Sequence, residues 1–315
     1  MLRDIFCKTN QISCFTLHLH ILENSNYAYF YHMTKIRIVS PAKAIEKVHV
    51  DFAKNYLEAQ GFLVEISDGC IGKHHYFSGT DKERLVDFQA ALDDNSVNVI
   101  LCARGGYGCL RIIDDLDFSN FVKHPKLIIG FSDVTVFHQK LSAMGLKSIH
   151  ATMPLNFSQN SEASISTLTQ AIKGEKYSIK SAQNSFNQLG STTGILRGGN
   201  LSILFSLLGT DDHIEFENSI LFIEDLAEQI YHIDRMFYAL NKAGILDKIK
   251  GLVVGGMTDL KDTATPFGMI YEEVILSHFE YKNTPICFNF PAGHIDDNRA
   301  LVIGADVKLS VKKDS

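Results

Sequence analysis

The chain has 315 residues, of which 45% are hydrophobic and 21% charged, and its formal net charge at pH 7 is −6. These proportions are typical of a soluble globular protein with one large or two ordinary domains. An acidic chain without basic blocks is a poor partner for nucleic acid, and no apolar run reaches the ~20 residues that would span a bilayer.

Residues 1–32 differ from the rest of the chain because they show no clean helix or strand periodicity. They lack the continuous apolar core and the small-residue cleavage site of a signal peptide. The segment MTKIRIVSPA, which begins at Met33, is typical of a first strand. We therefore expect residues 1–32 to be a non-native or disordered N-terminal extension, with translation beginning at Met33.

Six cysteines are distributed along the chain without a C-x-x-C pair or any zinc-binding spacing. We therefore expect free thiols in a reducing compartment. The cysteines are Cys7, Cys14, Cys70, Cys102, Cys109 and Cys287.

Strands and helices alternate from Lys35 onward, as in a parallel sheet with helices on both faces. Apolar runs predict strands at 35–40, 62–67, 97–103 and 126–130. The periodicity after the first strand predicts a helix whose buried face contains Ile45, Val48, Phe52, Tyr56 and Leu57.

The chain changes character after Met153-Pro154, because residues 156–189 are mostly polar. A second strand–helix–strand pattern begins near Gly194, and the segment 299–311 alternates apolar and polar residues like half-buried strand. We predict an N-terminal nucleophile domain at 33–155, a linker at 156–189 and a C-terminal domain at 190–315.

An apolar run ends at Gly130, and a helical pattern begins directly after Phe131-Ser132-Asp133. Ser132 is therefore predicted to lie on a sharp strand-to-helix elbow, which exposes a hydroxyl beside the free N–H groups of a helix start. A serine hydrolase needs both features. Ser and Asp are also preferred helix N-caps, so this segment alone favours capping, and Val134 stands where the G-x-S-x-G motif has its second glycine.

Glu224 ends an apolar strand and precedes an amphipathic helix in the second half of the chain. Asp225 and Glu228 fit a capping box, which assigns the helix start to Asp225 and leaves Glu224 without that task. A carboxylate at the carboxyl end of a parallel strand lies where ligands bind in open α/β sheets. A solvated acid at a strand end is the alternative.

His294 follows Pro-Ala-Gly and is predicted to lie on a tight loop between two apolar segments. Loop histidines with rigid flanks are well placed for function. Two other histidines compete with it: His138, on the predicted polar side of the elbow helix, and His150. An ordinary surface histidine is the other alternative.

Two glycine-rich segments can bring backbone N–H groups close to a ligand. The GGYG sequence at 105–108 follows a strand and could cradle a phosphate or donate to an oxyanion, but it matches neither nucleotide-binding glycine motif. Gly198-Gly199 is predicted to form a turn.

The sequence has no H-E-x-x-H motif and no clear metal cluster, which favours a metal-independent mechanism.

Together, these segments resemble the LD-carboxypeptidase family of serine peptidases, which includes the microcin C self-immunity proteins. The resemblance covers about 33–310, in order. The matching segments are ILCARGGYG at 100–108, IGFSD at 129–133, GILRGGNLSIL at 194–204, LFIED at 221–225 and PAGH at 291–294.

The resemblance implies a catalytic triad in which Ser132 is the nucleophile and Glu224 and His294 assist it. It implies an α/β fold, with a flavodoxin- or amidotransferase-like parallel-sheet N-terminal domain, a smaller swivelling α/β C-terminal domain and the active site in the cleft between them. We then expect the backbone N–H groups of Gly106 and Asp133 to form the oxyanion hole, while the Asp133 carboxylate caps the helix.

By the same resemblance, the expected activity is removal of the terminal D-Ala from cytoplasmic murein tetrapeptides during peptidoglycan recycling. The expected protein is a cytoplasmic homodimer that uses no cofactor or metal and binds neither nucleic acid nor a membrane. Arg104 or Arg197 could bind the free substrate carboxylate, or either could form a structural ion pair. Two alternatives stay open: a microcin C-type immunity peptidase that cleaves a peptidyl-nucleotide amide, and a non-catalytic module that binds a small ligand.

Overall fold

The computed structural model describes residues 34–211 and 216–312, together with the backbone of Phe15–Leu19. The strands are β1 (Phe15–Leu19), β2 (Lys35–Val39), β3 (Leu63–Ile66), β4 (Val99–Cys102), β5 (Leu127–Gly130), β6 (Ser148–His150), β7 (Tyr177–Ser181), β8 (Gly190–Asn200), β9 (Ser219–Leu226), β10 (Gly251–Thr258), β11 (Ile286–Cys287), β12 (Leu301–Ile303) and β13 (Asp306–Val311). The α-helices are α1 (Lys47–Ala59), α2 (Asp81–Asp93), α3 (Ser119–Lys123), α4 (Thr135–Ala143), α5 (Glu162–Ile172), α6 (Leu201–Ser206), α7 (Ile230–Lys242), α8 (Ile245–Lys248) and α9 (Tyr271–Ser277). Single 3₁₀ turns occur at Cys109–Arg111, Ile113–Asp115, Ser132–Val134 and Pro154–Asn156.

The first sheet has the strand order β3-β2-β4-β5-β6-β12. Its first five strands pair in parallel, and β12 joins β6 as an antiparallel edge. All four residues of β4 are buried, as expected of a strand that is covered on both faces. The order of the parallel strands is that of flavodoxin-like doubly wound sheets, in which ligands bind at the carboxyl ends of the strands. The expected parallel-sheet domain is confirmed.

The face that helix α1 turns to the core overlaps only in part with the predicted one. Its buried residues are Val50, Ala53 and Leu57, whereas Val48 is 64% exposed and Phe52 is 45% exposed. The prediction is confirmed at Ile45 and Leu57 but was wrong at Val48 and Phe52, because it followed the larger side chains, while the small Ala53 lets the helix approach the sheet closely.

The segment predicted as a linker, residues 156–189, contains helix α5 and strand β7. Ile165 and Leu168 of α5 lie in the hydrophobic core of the first sheet, and β7 belongs to the second sheet. The polar composition is compatible with burial because the hydroxyl groups of Thr167 and Thr169 donate to carbonyls of their own helix. The domain boundaries themselves stay a prediction.

The second sheet has the order β11-β10-β9-β8-β13-β1-β7. Strands β8 to β11 pair in parallel, and β13, β1 and β7 are antiparallel to their neighbours. Helices α6, α7 and α9 pack on one face and contribute to a core with β9 and β10. This confirms a second α/β domain built around its own sheet.

Of the predicted extension, residues 1–32, the structure describes only the backbone of β1. This strand pairs with both β13 and β7, so that Leu17 lies opposite Leu309 and Ile179. The remainder of the segment lies outside the described residues. Its non-native origin and the translation start at Met33 therefore stay predictions.

The C-terminal segment 299–311 is divided between the two sheets. β12 pairs with β6 in the first sheet, the chain turns at Gly304-Ala305, and β13 pairs with β8 in the second. Leu301 and Ile303 also contribute to the core that underlies the second sheet. The chain therefore crosses between the domains beside the strand that carries His150.

The cysteines that the structure describes, Cys70, Cys102, Cys109 and Cys287, are buried and free. Cys7 and Cys14 lie outside the described residues. Within the described part of the chain, no helix is long and apolar enough to cross a membrane.

Candidate active site

Ser132 lies on the predicted elbow, in the 3₁₀ turn that joins β5 to α4. Its φ angle is +65°, a left-handed conformation that costs a non-glycine residue about 1–3 kcal/mol and is concentrated at functional sites. Neither this turn nor α4 has a side-chain cap, so Ser132 does not serve as a helix cap. The strained turn points to a role other than helix capping.

Asp133 does not cap the helix either, which corrects the sequence prediction. Its buried carboxylate accepts a hydrogen bond from the Cys109 N–H, at 2.9 Å, and so holds the end of the glycine loop against the elbow. A Cβ atom at Gly105 would lie 3.0 Å from Ser132 Cβ and 3.2 Å from Asp133 N. A side chain at Gly105 would therefore crowd the elbow, and the predicted oxyanion donors, Gly106 and Asp133, lie on two adjoining segments.

Glu224 and His294 form a direct hydrogen bond. Glu224 lies near the end of β9 with no exposed surface, so the solvated-acid alternative is wrong. His294 Nδ1 lies 2.6 Å from Glu224 Oε2, and because a carboxylate only accepts, Nδ1 carries the proton and Nε2 is left as the base. A Cβ atom at Gly293 would lie 2.7 Å from Glu224 Cβ, so glycine is needed for this approach.

The electrostatics of the pair suit a general base. Burial raises the pKa of Glu224, but the neighbouring His294 and His150 outweigh burial and lower it to about 2. Burial lowers the pKa of His294, but the Glu224 charge outweighs it and raises the pKa above the usual value. Glu224 is therefore ionised and stabilises the protonated imidazole.

Asp225 is not part of a capping box, contrary to the prediction. Strand β9 continues through Asp225, and α7 begins after Gln229 without a side-chain cap. The buried Asp225 carboxylate accepts hydrogen bonds from Asn200 Nδ2 at 3.1 Å and from the Ser202 N–H at 2.9 Å. Burial, together with the Glu224 charge, raises its pKa to about 6. It therefore holds the start of α6 beside the end of β9.

The two domains meet at this site. The ring of His294 packs against Phe131, the neighbour of Ser132, with 4.9 Å between the ring centres. Thr135 Oγ1 in α4 accepts from the Asn200 N–H at 3.0 Å, and Gln139 donates to the Gly198 carbonyl at 3.2 Å. Gly198-Gly199 belongs to strand β8, so the prediction of a turn at this position was wrong.

The two competing histidines differ in their partners. His138 is fully buried, not on a polar helix face, and its ring nitrogens lie 2.8 Å from Ser148 Oγ and 2.9 Å from the Gly130 carbonyl. Burial lowers its pKa to about 3, which suits a neutral structural residue. His150 ends β6 and faces Glu224, with 4.0 Å between Nε2 and Oε1. Its place at the carboxyl end of a parallel strand was the signal that sequence reasoning did not use.

The two arginines proposed for carboxylate binding lie in different domains. Arg104 follows β4 and precedes the glycine loop; its Nη1 donates to the Ala44 carbonyl at 3.1 Å, and its buried Nε has no hydrogen-bond partner. Among the described residues, no carboxylate lies within ion-pair distance of Arg104, and burial lowers its pKa. Arg197 lies in β8 opposite Leu221, and burial lowers its pKa as well.

Family models match both halves of the chain. The model of the LD-carboxypeptidase N-terminal domain matches residues 36–151, and that of the LD-carboxypeptidase C-terminal domain matches residues 193–309. A probable murein peptide carboxypeptidase of Bacillus subtilis is 30% identical over 281 residues, which are 87% of this chain and 88% of the relative.

Solved structures with the same fold include a muramoyltetrapeptide carboxypeptidase from Oxalobacter formigenes. It has a TM-score of 0.79 and 27% sequence identity, and the match covers 89% of this chain and 99% of that one. The microcin C7 self-immunity protein MccF in complex with aspartyl sulfamoyl adenosine has a TM-score of 0.76 and 21% identity, over 89% and 96% of the two chains. At that identity the second likeness concerns the fold alone.

Proposed function

Because the chain belongs to the LD-carboxypeptidase family, we propose that it is a serine peptidase that removes the terminal D-Ala from murein tetrapeptides. Ser132 is the nucleophile, His294 the general base and Glu224 the residue that orients it. The observation that carries this proposal is the 2.6 Å hydrogen bond between Glu224 and His294, whose ring packs beside the strained Ser132 turn.

In this mechanism, His294 Nε2 takes the Ser132 proton while Oγ attacks the scissile carbonyl carbon. The negative charge that develops on the carbonyl oxygen is stabilised by the N–H groups of Gly106 and Asp133, each worth about 3–4 kcal/mol at the transition state. The C–N bond then breaks, and His294 returns the proton to the leaving D-Ala amine. Water hydrolyses the acyl-enzyme with His294 again as the base.

The experiment that tests the proposal offers the purified protein a murein tetrapeptide and measures free D-Ala. We expect D-Ala release in the presence of a chelator, because every proposed catalytic group is a side chain or a backbone amide. A peptidyl-nucleotide is the second substrate. Absence of D-Ala release would contradict the proposal.

The second candidate, a microcin C-type immunity peptidase, uses the same three residues on a peptidyl-nucleotide. Tyr107 lies within the glycine loop and Tyr76 lies beside it, since a Cβ atom at Gly106 would be 3.0 Å from the Tyr76 hydroxyl. Both are close to half exposed, and a nucleobase can stack on such rings. Faster cleavage of the peptidyl-nucleotide than of the tetrapeptide would favour this candidate.

Arg104 is the residue that we propose for the terminal carboxylate of the substrate. It directly precedes the loop that touches Ser132 and lacks a carboxylate partner among the described residues, so an anion would compensate its partly buried charge. Arg104→Ala is expected to lower kcat/KM by about 10- to 100-fold, since a hydrogen bond to a charged group contributes about 1.5–3 kcal/mol.

The matched control for Arg104 is Arg37→Ala, because the Arg37 guanidinium already pairs with Glu65 and Asp94. A tetrapeptide with an amidated C-terminus serves as the control substrate. If Arg104→Ala loses the same factor with the amide as with the free acid, Arg104 does not bind the carboxylate.

We also propose that the protein acts in peptidoglycan recycling, lies in the cytoplasm and forms a homodimer. Mass measurement in solution tests the dimer, and fractionation of cells tests the location.

A further inference from the structure

His150 is a buried histidine that the proposed reaction does not use. It is fully buried at the end of β6, and its ring lies 4.8 Å from that of Phe222 and 5.7 Å from that of Phe131. Neither of its ring nitrogens has a hydrogen-bond partner among the described residues. A buried polar ring without a partner is costly, so its presence needs an explanation.

The carboxylate that His150 faces also has one oxygen without a partner. Glu224 Oε2 accepts from His294, whereas the buried Oε1 has no hydrogen-bond partner among the described residues. His150 Nε2 lies 4.0 Å from Oε1, so a shift of roughly 1 Å would form a hydrogen bond. Catalytic hydrogen bonds are often long in unliganded enzymes and tighten with substrate.

We propose that His150 is a positioning residue whose Nε2–H donates to Glu224 Oε1 and thereby fixes the carboxylate that orients His294. The contact joins the two domains, because His150 comes from the first sheet and Glu224 from the second. The position of the second domain relative to the first therefore affects the orientation of the base, His294. The inference rests on the triad of the proposed function.

The direction of the effect on His294 follows from the charges around it. A donor on Oε1 withdraws part of the charge with which Glu224 holds a proton on His294, so loss of the donor raises the pKa of His294. The other titratable groups that face this cluster are His138 from α4 and Asp225 from β9, and both remain in the variants.

The test compares His150→Leu with His150→Gln, whose amide can replace the Nε2 donor. We expect His150→Leu to lower kcat/KM for D-Ala release about 10- to 100-fold and to move the acidic limb of its pH profile to higher pH. His150→Gln should restore most of the lost kcat/KM and return the acidic limb most of the way to its wild-type pH. The control is His278→Leu, which removes a buried histidine that faces Asp234 outside the proposed triad, with 3.6 Å between the nitrogen and the carboxylate.

A second measurement separates this inference from the proposed function. NMR titration of the His294 ring in the unliganded protein, assigned with His294→Gln, needs no substrate. An upward shift of the His294 titration in His150→Leu supports the positioning role even if the tetrapeptide is not cleaved. An unchanged titration, with His150→Gln no better than His150→Leu, would show that His150 only fills space and would overturn the proposal.

Discussion

Replacing Ser132 by alanine is expected to lower kcat for D-Ala release by about 10⁴- to 10⁶-fold, because it removes the atom that forms the covalent bond to the substrate. The residual rate would come from binding and from the oxyanion donors, which the substitution leaves in place. Free D-Ala is measured at several enzyme concentrations over several hours, so that a residual rate lowered by this factor can be detected.

The fold should tolerate this change, since Ser132 does not cap the helix that follows it. Alanine at φ +65° retains the backbone strain that glycine would relieve, so Ser132→Gly is expected to be more stable to thermal unfolding than Ser132→Ala by about 1 kcal/mol. Both should still bind the tetrapeptide in calorimetry. Wild-type turnover in Ser132→Ala would contradict the nucleophile assignment and favour a non-catalytic binding module.

The positions of the three proposed catalytic residues were predictable because each ends or follows a strand with a clear apolar pattern. The sharp change after Gly130 indicates the elbow, and the apolar run before Glu224 indicates a strand end. His294 follows Pro-Ala-Gly, and the structure explains the glycine by its approach to Glu224. The local pattern placed these residues at strand ends, but only the resemblance of the combined segments to a known family assigned them a catalytic role.

Several other features depend on contacts that the local pattern does not carry. Asp225 satisfies the capping-box pattern with Glu228, but it hydrogen-bonds to Asn200 and Ser202 from a neighbouring strand and helix. The segment 299–311 has one alternating pattern, yet it serves two sheets. In both cases the competing partner is distant in sequence, so tertiary packing decides the outcome.

The local sequence pattern also does not reveal the contact of His150 with Glu224, which is 74 residues away and in the other domain. The chain neighbours of His150, Ile149 and Ala151, are apolar and predict only that it is buried. The contact becomes visible only once the end of β6 in the first sheet and the end of β9 in the second are placed beside each other. A catalytic site built from two domains therefore needs residues that join them, and these carry no motif of their own.

The second large effect is expected at Glu224. In Glu224→Gln, the amide can donate to His294 Nδ1, which places the imidazole proton on Nε2 and removes the base. A wrong tautomer of this kind costs about 10⁴-fold in kcat. Because the triad acts as a unit, Glu224→Gln and His294→Ala should each add little to the loss in Ser132→Ala when the changes are combined. Multiplicative losses in these double variants would argue against a catalytic unit formed by Ser132, Glu224 and His294.

The pH profile provides a sign test that separates Glu224 from His150. The Glu224 charge raises the pKa of His294, so Glu224→Gln should move the residual acidic limb to lower pH, whereas His150→Leu should move it to higher pH. Profiles of kcat/KM for both variants, measured on the same tetrapeptide, test this directly. A shift in the same direction for both would mean that the two residues do not act on His294 as donor and acceptor of one hydrogen-bonded chain.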